Sequence, residues 1–417
     1  MAINGGQVII IGNDQVLRRL QTANIGSDVA RNTVKEIGRP LPVGETFDPA
    51  EVSFEAESWD ASARFEYQLA GVDYAAASNA VGLTDLLNVP LDVLAPFRIS
   101  ESSDSATMHV LVPGLELGEA SWTFGGGDNA AQRFTFRGTE LFYHYGRIRK
   151  IAKTGADVSS GQLTIDNTTD LGGANAVADS NGRYALFVSI NNRRLYYETD
   201  YTDAVNAGDV VITFINQTIQ SSDNIVVYVA TDETSVSYTS QLNAEPLPPV
   251  LPAAVRGKNI HVYVKNSKYT SWTKLPELTS FEVRVTWPVD MDMFLGYKYK
   301  VPDRGVPEVT GTLRFKPSDA AGFFRFIQDF IMSDTTAPVY TASDLGYDQT
   351  KVLIKIEDPT TPGSYLKKIY LPKCQLTMPP LNVTADGKVE PEVNITTLAT
   401  AGVDLIEIYK GTINDPA

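Results

Sequence analysis

The chain has 417 residues, 35 basic and 50 acidic side chains, a formal charge of −15, and 43% hydrophobic against 20% charged residues. This is a globular balance with room for roughly two or three cores, and its acidic surplus argues against broad electrostatic attraction to nucleic acid or an anionic membrane. Cys374 is the sole cysteine, which excludes an intrachain disulfide and a zinc site built from cysteines.

The opening MAINGGQVIIIGNDQ contains an apolar run of only Val8 to Ile11. That is too short for a signal-peptide core, and no segment approaches the ~18 apolar residues of a membrane span. The expectation is a protein soluble in the cytoplasm where it is made, with no membrane partner.

Further along, short runs of Val, Ile, Tyr, Phe and Thr are punctuated by Gly, Pro, Asn and Asp, the signature of β structure. Two stretches read as helices: Trp59 to Ala70, and Ser318 to Met332, the latter with Phe323, Phe324, Phe326, Ile327 and Phe330 largely on one face. Gly125-Gly126-Gly127-Asp128-Asn129, flanked by strand patterns, reads as a hairpin turn. A soft boundary falls at Lys153 to Gln162, and the proline strap Pro246 to Pro252 is the strongest one. The resulting division is 1–153, 154–245, a linker 246–255, and 256–417. Net charge is −7 over residues 1–150, −8 over 151–245 and zero over 246–417, which suits a solvent-facing accessory module in the middle.

The outer pieces resemble each other at a fixed offset of 259 residues. Asp60-Ala61 with Phe65 answers to Asp319-Ala320 with Phe324, Val93-Leu94 to Val352-Leu353, Leu117 to Leu376, and Phe136 to Ile395. Upstream the offset shrinks slightly: Glu51-Val52 answers to Glu308-Val309, and Asp28-Val29 to Glu282-Val283. A domain duplication over residues 7–150 and 256–410 follows as an expectation.

Catalytic chemistry finds little support. The three histidines, His109, His144 and His261, sit in strand-like patterns, and no zincin, nucleophile-elbow or P-loop motif occurs. Asp290-Met-Asp292 is too sparse for a calcium loop. No cofactor, metal or catalytic residue is expected. Two long linkers do repeat, however, at 36–52 and 294–309. A surface loop carrying Arg39, Pro42 and Phe47, or Tyr297, Tyr299, Asp303 and Arg304, suits a grip on another protein.

This order of elements resembles the phage tail tube protein family. An opening strand and Glu36-Ile-Gly38 are followed by a proline-rich loop, Glu51-Val-Ser-Phe-Glu55, a helix with Asp60 and Phe65, and closing strands. The second copy repeats it with Phe281-Glu-Val-Arg-Val285, Asp303-Arg304, Pro307 to Phe315 and the Asp319 helix. The middle piece resembles small β modules appended to phage virion proteins. The resemblance implies a mainly β fold of two β-sandwich or partial-barrel domains, each with a short helix, plus an inserted small β domain. It implies a virion structural protein, not an enzyme, assembled in the host cytoplasm. Three duplicated chains would close a pseudo-hexameric ring, and rings would stack head-to-tail through the two loops into a helical assembly that conducts genome DNA without specific binding. Expected partners are further copies, tape measure, baseplate and terminator proteins, and a sheath if the tail contracts. A baseplate, neck or tail-terminator ring is the alternative, with a carbohydrate-active β enzyme behind it.

Overall fold

A computed structural model describes residues 8–17, 20–28, 31–34, 44–47, 50–59, 61–99, 105–125, 130–239, 255, 257–266, 269–275, 278–292, 301–316, 331, 349–377, 391–399 and 402–416. The protein is mainly β, built from several antiparallel sheets with two short helices among the described residues.

Apolar–polar alternation makes the strands. In Glu51–Ser58, Val52, Phe54 and Ala56 are buried, while Glu51, Ser53, Glu55 and Glu57 take the other face, as a period of two dictates. The first part of the chain runs through β1 (Ile11–Gly12), β2 (Gln15–Val16), β3 (Leu20–Asp28), β4 (Arg31–Val34), β5 (Gly44–Phe47), β6 (Glu51–Ser58), α1 (Arg64–Leu69), β7 (Val81–Gly82), α2 (Leu83–Asn88), β8 (Leu91–Arg98), β9 (Ser105–Gly125), β10 (Ala131–Gly138) and β11 (Phe142–Tyr145). The middle part holds β12 (Arg147–Thr154), β13 (Val158–Ser159), β14 (Gln162–Ile165), β15 (Ala185–Ile190), β16 (Arg193–Leu195), β17 (Tyr201–Asn206), β18 (Asp209–Phe214), β19 (Asn224–Thr231) and β20 (Val236–Ser237). The last part holds β21 (Ile260–Lys265), β22 (Thr273–Lys274), β23 (Leu278–Thr286), β24 (Val289–Asp292), β25 (Val301–Arg304), β26 (Glu308–Phe315), β27 (Gln349–Glu357), β28 (Tyr365–Thr377), β29 (Glu392–Thr397) and β30 (Glu407–Lys410).

The outer parts follow one pairing scheme. In the first, β3, β6, β10 and the end of β9 pair in that order, and the start of β9 pairs with β8, then β1 and β2. In the last, β23, β26, β29 and the end of β28 do the same, and the start of β28 continues to β27, β21 and β22. Registers correspond residue for residue. Phe136 stands opposite Phe54 and Leu117, and Ile395 opposite Gly311 and Leu376. Val93 faces Val112 as Val352 faces Leu371. The 259-residue offset connects these positions, except Phe54 and Gly311, which follow the smaller upstream offset. One expected match is corrected by the pairing: Asp28 corresponds to Thr286 and Ile25 to Val283, not Asp28 to Glu282, because both strands are placed by their pairing with β6 and β26.

The two parts also join. β23 pairs with the free side of β9, from Ser280 opposite Gly125 to Thr286 opposite Glu119. One continuous antiparallel sheet results, ordered β3-β6-β10-β9-β23-β26-β29-β28. Its inner face buries Phe54, Trp122, Phe134, Phe281, Leu313 and Ile395 in a core shared by both parts. Helix α1 adds Phe65, Tyr67 and Leu69 to that core, Phe65 lying 4.7 Å from Phe134 between ring centroids.

The middle part is a β-sandwich. One sheet runs β12-β19-β15-β16 and the other β13-β14-β18-β17, with Leu163, Ile165, Val188, Ile212 and Val227 buried between them. Its limits differ from those read from composition. β12 starts at Arg147 and pairs along its length with β19, which ends at Thr231, and β20 returns to pair with β9. The Gly, Ser and Asp residues after Lys153 mark a turn inside the module, because local composition registers turns and not the sheet a strand joins. Nor does the module stand apart in solvent. Phe187, Tyr228 and Ala230 pack on Leu111 and Leu94, and buried Glu140 is held by Arg183 at 2.8 Å and Arg194 at 2.7 Å.

Of the expected helices, the first is shorter than Trp59 to Ala70. The second lies outside the described residues, Ile331 apart, as does the proline strap. Helix α2 escaped the sequence reading. Its signals are apolar Leu83, Leu86 and Leu87 on one face and Asp85, whose Oδ2 accepts the Gly82 N–H at 2.9 Å. No helix among the described residues is long and apolar enough to cross a membrane.

Candidate functional site

The outer face of the continuous sheet is polar from edge to edge. The pleat that buries the aromatic row puts Asp28, Glu51, Glu55, Glu57, Glu119, Glu282, Glu308 and Glu392 on this face, among Ser, Thr and Asn. Four arginines join them: Arg133, Arg137, Arg284 and Arg314. Strands β3, β6, β10, β23, β26 and β29 contain no lysine, while on β28 Lys373 alternates with buried Cys374 and falls on this face.

Each arginine on this face is engaged. Arg133 reaches Glu55 at 3.0 Å, Arg284 reaches Glu119 at 2.7 Å, and Arg314 reaches Glu392 at 2.9 Å, while Arg137 donates to the Val289 carbonyl at 3.5 Å. These pairs are solvent-exposed and contribute little to stability. Their electrostatic effect is larger, since they mask the cations on a face with surplus carboxylates. Arg314 stands directly opposite Glu392, and at the corresponding place in the first part Glu57 stands opposite Arg133. The cross-strand pair persists with its signs exchanged.

The sheet ends in an open edge. Among the described residues β3 pairs with β6 alone, whereas its counterpart β23 is paired on both sides. Burial follows. Phe281 and Val283 are buried in β23, but the corresponding Ala23 is exposed and Ile25 only half-buried.

The linkers at 36–52 and 294–309 each contain the second strand of a two-stranded arm, so Phe47, Asp303 and Arg304 lie in strands and not in open loop. β4 pairs with β5, Arg31 opposite Phe47, and β24 pairs with β25, Val289 opposite Arg304. Arg39, Pro42, Tyr297 and Tyr299 lie outside the described residues, and of Phe47 only the strand position is described. Asp303 is exposed. Arg304 is held against its own chain: it forms an ion pair with Glu116, donates to the Leu87 carbonyl at 3.4 Å, and stacks 4.8 Å from the Trp287 ring centroid.

Beside Arg304 the three parts converge on a cleft of about 610 Å³ lined by Asn88, Glu116, Asn191, Arg193, Arg194, Tyr196, Asp200 and Pro302. Its carboxylates have structural occupations. Burial raises the Glu116 pKa against the pull of Arg304. Asp200 accepts the Tyr196 N–H and the Gln217 amide, both at 2.9 Å. No group of three or more His, Cys, Asp or Glu side chains able to hold a metal occurs among the described residues. His109, His144 and His261 all lie in strands and bond to Gly146 O, Thr231 O and Glu357, respectively. No family model matches the chain, and none of the curated proteins matches it.

Proposed function

We propose that the protein is a structural ring subunit of a phage tail tube, a conduit whose wall is the continuous sheet. The observation that carries this reading is the internal seam. A unit that pairs with its own repeat through β9 and β23 leaves the repeat's edge exposed on β3, in the form already used once within the chain. An unpaired strand edge is an aggregation liability unless a partner covers it. Closure with further copies satisfies those backbone groups. Three chains, hence six units, is the number the resemblance implies, and head-to-tail stacking of such rings gives a filament because heterologous contacts need not close.

The wall suits passage of DNA. Capture of a polyanion runs through free Lys and Arg on phosphates, and this face is poor in them: its arginines are engaged, and its six strands other than β9 and β28 carry no lysine, Lys373 on β28 being the exception. Electron microscopy of the purified protein tests the reading. Threefold rings with pseudo-sixfold walls, stacking into tubes, are expected, and Ile25→Asp on the exposed edge leaves folded single chains. A wild-type protein that stays monomeric at high concentration would overturn it.

A further inference from the structure

Strand β30 of the last part occupies the place of β11 in the first. β11 lies opposite Met108, His109, Val110 and Leu111, and β30 lies opposite Lys367, Lys368, Ile369 and Tyr370, the same positions 259 residues on. Tyr143 therefore corresponds to Ile408, and Tyr145 to Lys410.

Their surroundings differ. The far edge of β30 is covered by β7 of the first part, Ile408 opposite Val81 and Glu407 opposite Gly82. Ile408 is completely buried there. Lys410 donates to the carbonyls of Tyr74 and Ala75 at 3.1 and 3.2 Å and sits 4.9 Å over the Tyr74 ring. Among the described residues β11 pairs with β9 alone, and Tyr143 and Tyr145 are 66% and 84% exposed. Two tyrosines in the open on an edge strand are the profile of an interface anchor awaiting its partner.

We propose that the β11 edge is a second docking surface for another copy of this chain, on which Tyr143 and Tyr145 become covered as Ile408 and Lys410 are covered within the chain, Ile408 fully and Lys410 in part. The occupant is the last part of the neighbouring copy, since it is the first part that covers β30 internally and the repeat alternates. The new seam differs chemically from the internal one. Met108 stands where Lys367 makes its buried ion pair, so the contact between copies is apolar and aromatic where the internal one is ionic. Each copy then meets the next at two separated places, the β3 edge and the β11 edge, which fixes the angle between units as one strand pair cannot.

This inference rests on the ring reading, and the test separates the two. Tyrosine nitration mapped by mass spectrometry on assembled wild-type protein, with unassembled Ile25→Asp as reference, reads the exposure of Tyr143 and Tyr145. Protection of both in rings, and loss of ring formation by Tyr143→Asp/Tyr145→Asp with an unchanged melting curve, is the expected result. Rings in which both tyrosines react as fast as in the reference, or a double variant that assembles normally, would overturn the second surface and leave the ring standing. A wild-type chain that forms no ring would remove both.

Discussion

Lys367 and Glu66 form an ion pair across the seam between the two repeats, Nζ to Oε1 at 2.5 Å, with both side chains essentially solvent-free. Gln132 Oε1 takes a second Lys367 proton at 2.7 Å, and the Trp122 indole donates to the same Glu66 oxygen at 2.8 Å. Strand β28 of one repeat is thereby tied to α1, β9 and β10 of the other.

Removing one partner leaves an uncompensated buried charge. Lys367→Met is expected to destabilise the chain by about 3–5 kcal/mol, and Glu66→Leu/Lys367→Met by much less, because replacing a whole buried pair with apolar groups is often near neutral. Denaturant unfolding followed by tryptophan fluorescence reads both, and equal losses in the single and double variants would contradict the account.

The masked arginines make a second prediction. Glu55→Gln and Glu119→Gln release Arg133 and Arg284 on the outer sheet face while keeping side-chain shape. DNA retention by the double variant should exceed that of wild type and fall with salt, with a log–log slope of roughly −0.7 to −0.9 for each additional phosphate that a released arginine neutralises. Filter binding between low and physiological salt measures it. Identical retention by the two proteins would show that masking is irrelevant to this face.

His109 supplies a pH dependence. Burial lowers its pKa to about 4 from 6.5, opposed by the Gly146 carbonyl and Glu233 and assisted by His144 and Arg147. Between pH 6.5 and 4 the unfolded chain binds a proton that the folded one refuses. Stability from this group is complete above pH 6.5 and declines as pH falls, by about 1.4 kcal/mol per unit. Melting curves at pH 7.5 and 5 should separate more in wild type than in His109→Gln.

Cys374 is fully buried, and desolvation pushes its thiol far above the ordinary range. The thiolate is the reactive form. A thiol-specific reagent should therefore label the native protein negligibly and the denatured protein completely, and rapid native labelling would place the residue in an accessible environment. The alternating apolar pattern from Leu371 to Leu376 already implied this burial, since Cys374 shares the inner face with Leu376.

The primary structure by itself determined the β class, the position of α1, and the offset linking Phe136 to Ile395 and Val93 to Val352, while residues 126–129 of the expected hairpin turn lie outside the described residues. Each rests on local periodicity or self-similarity, which side-chain pattern records directly. Tertiary structure alone decided that β12 belongs to the middle sandwich, that β9 receives β23, that Arg304 pairs with Glu116 of its own chain, and that Lys367 finds Glu66 at a separation of 301 residues. The physical reason is that edge pairing is made by backbone N–H and C=O groups that every residue carries. Alternation says which face of a strand is buried. It does not say which strand lies beside it, or which edge stays open for another molecule.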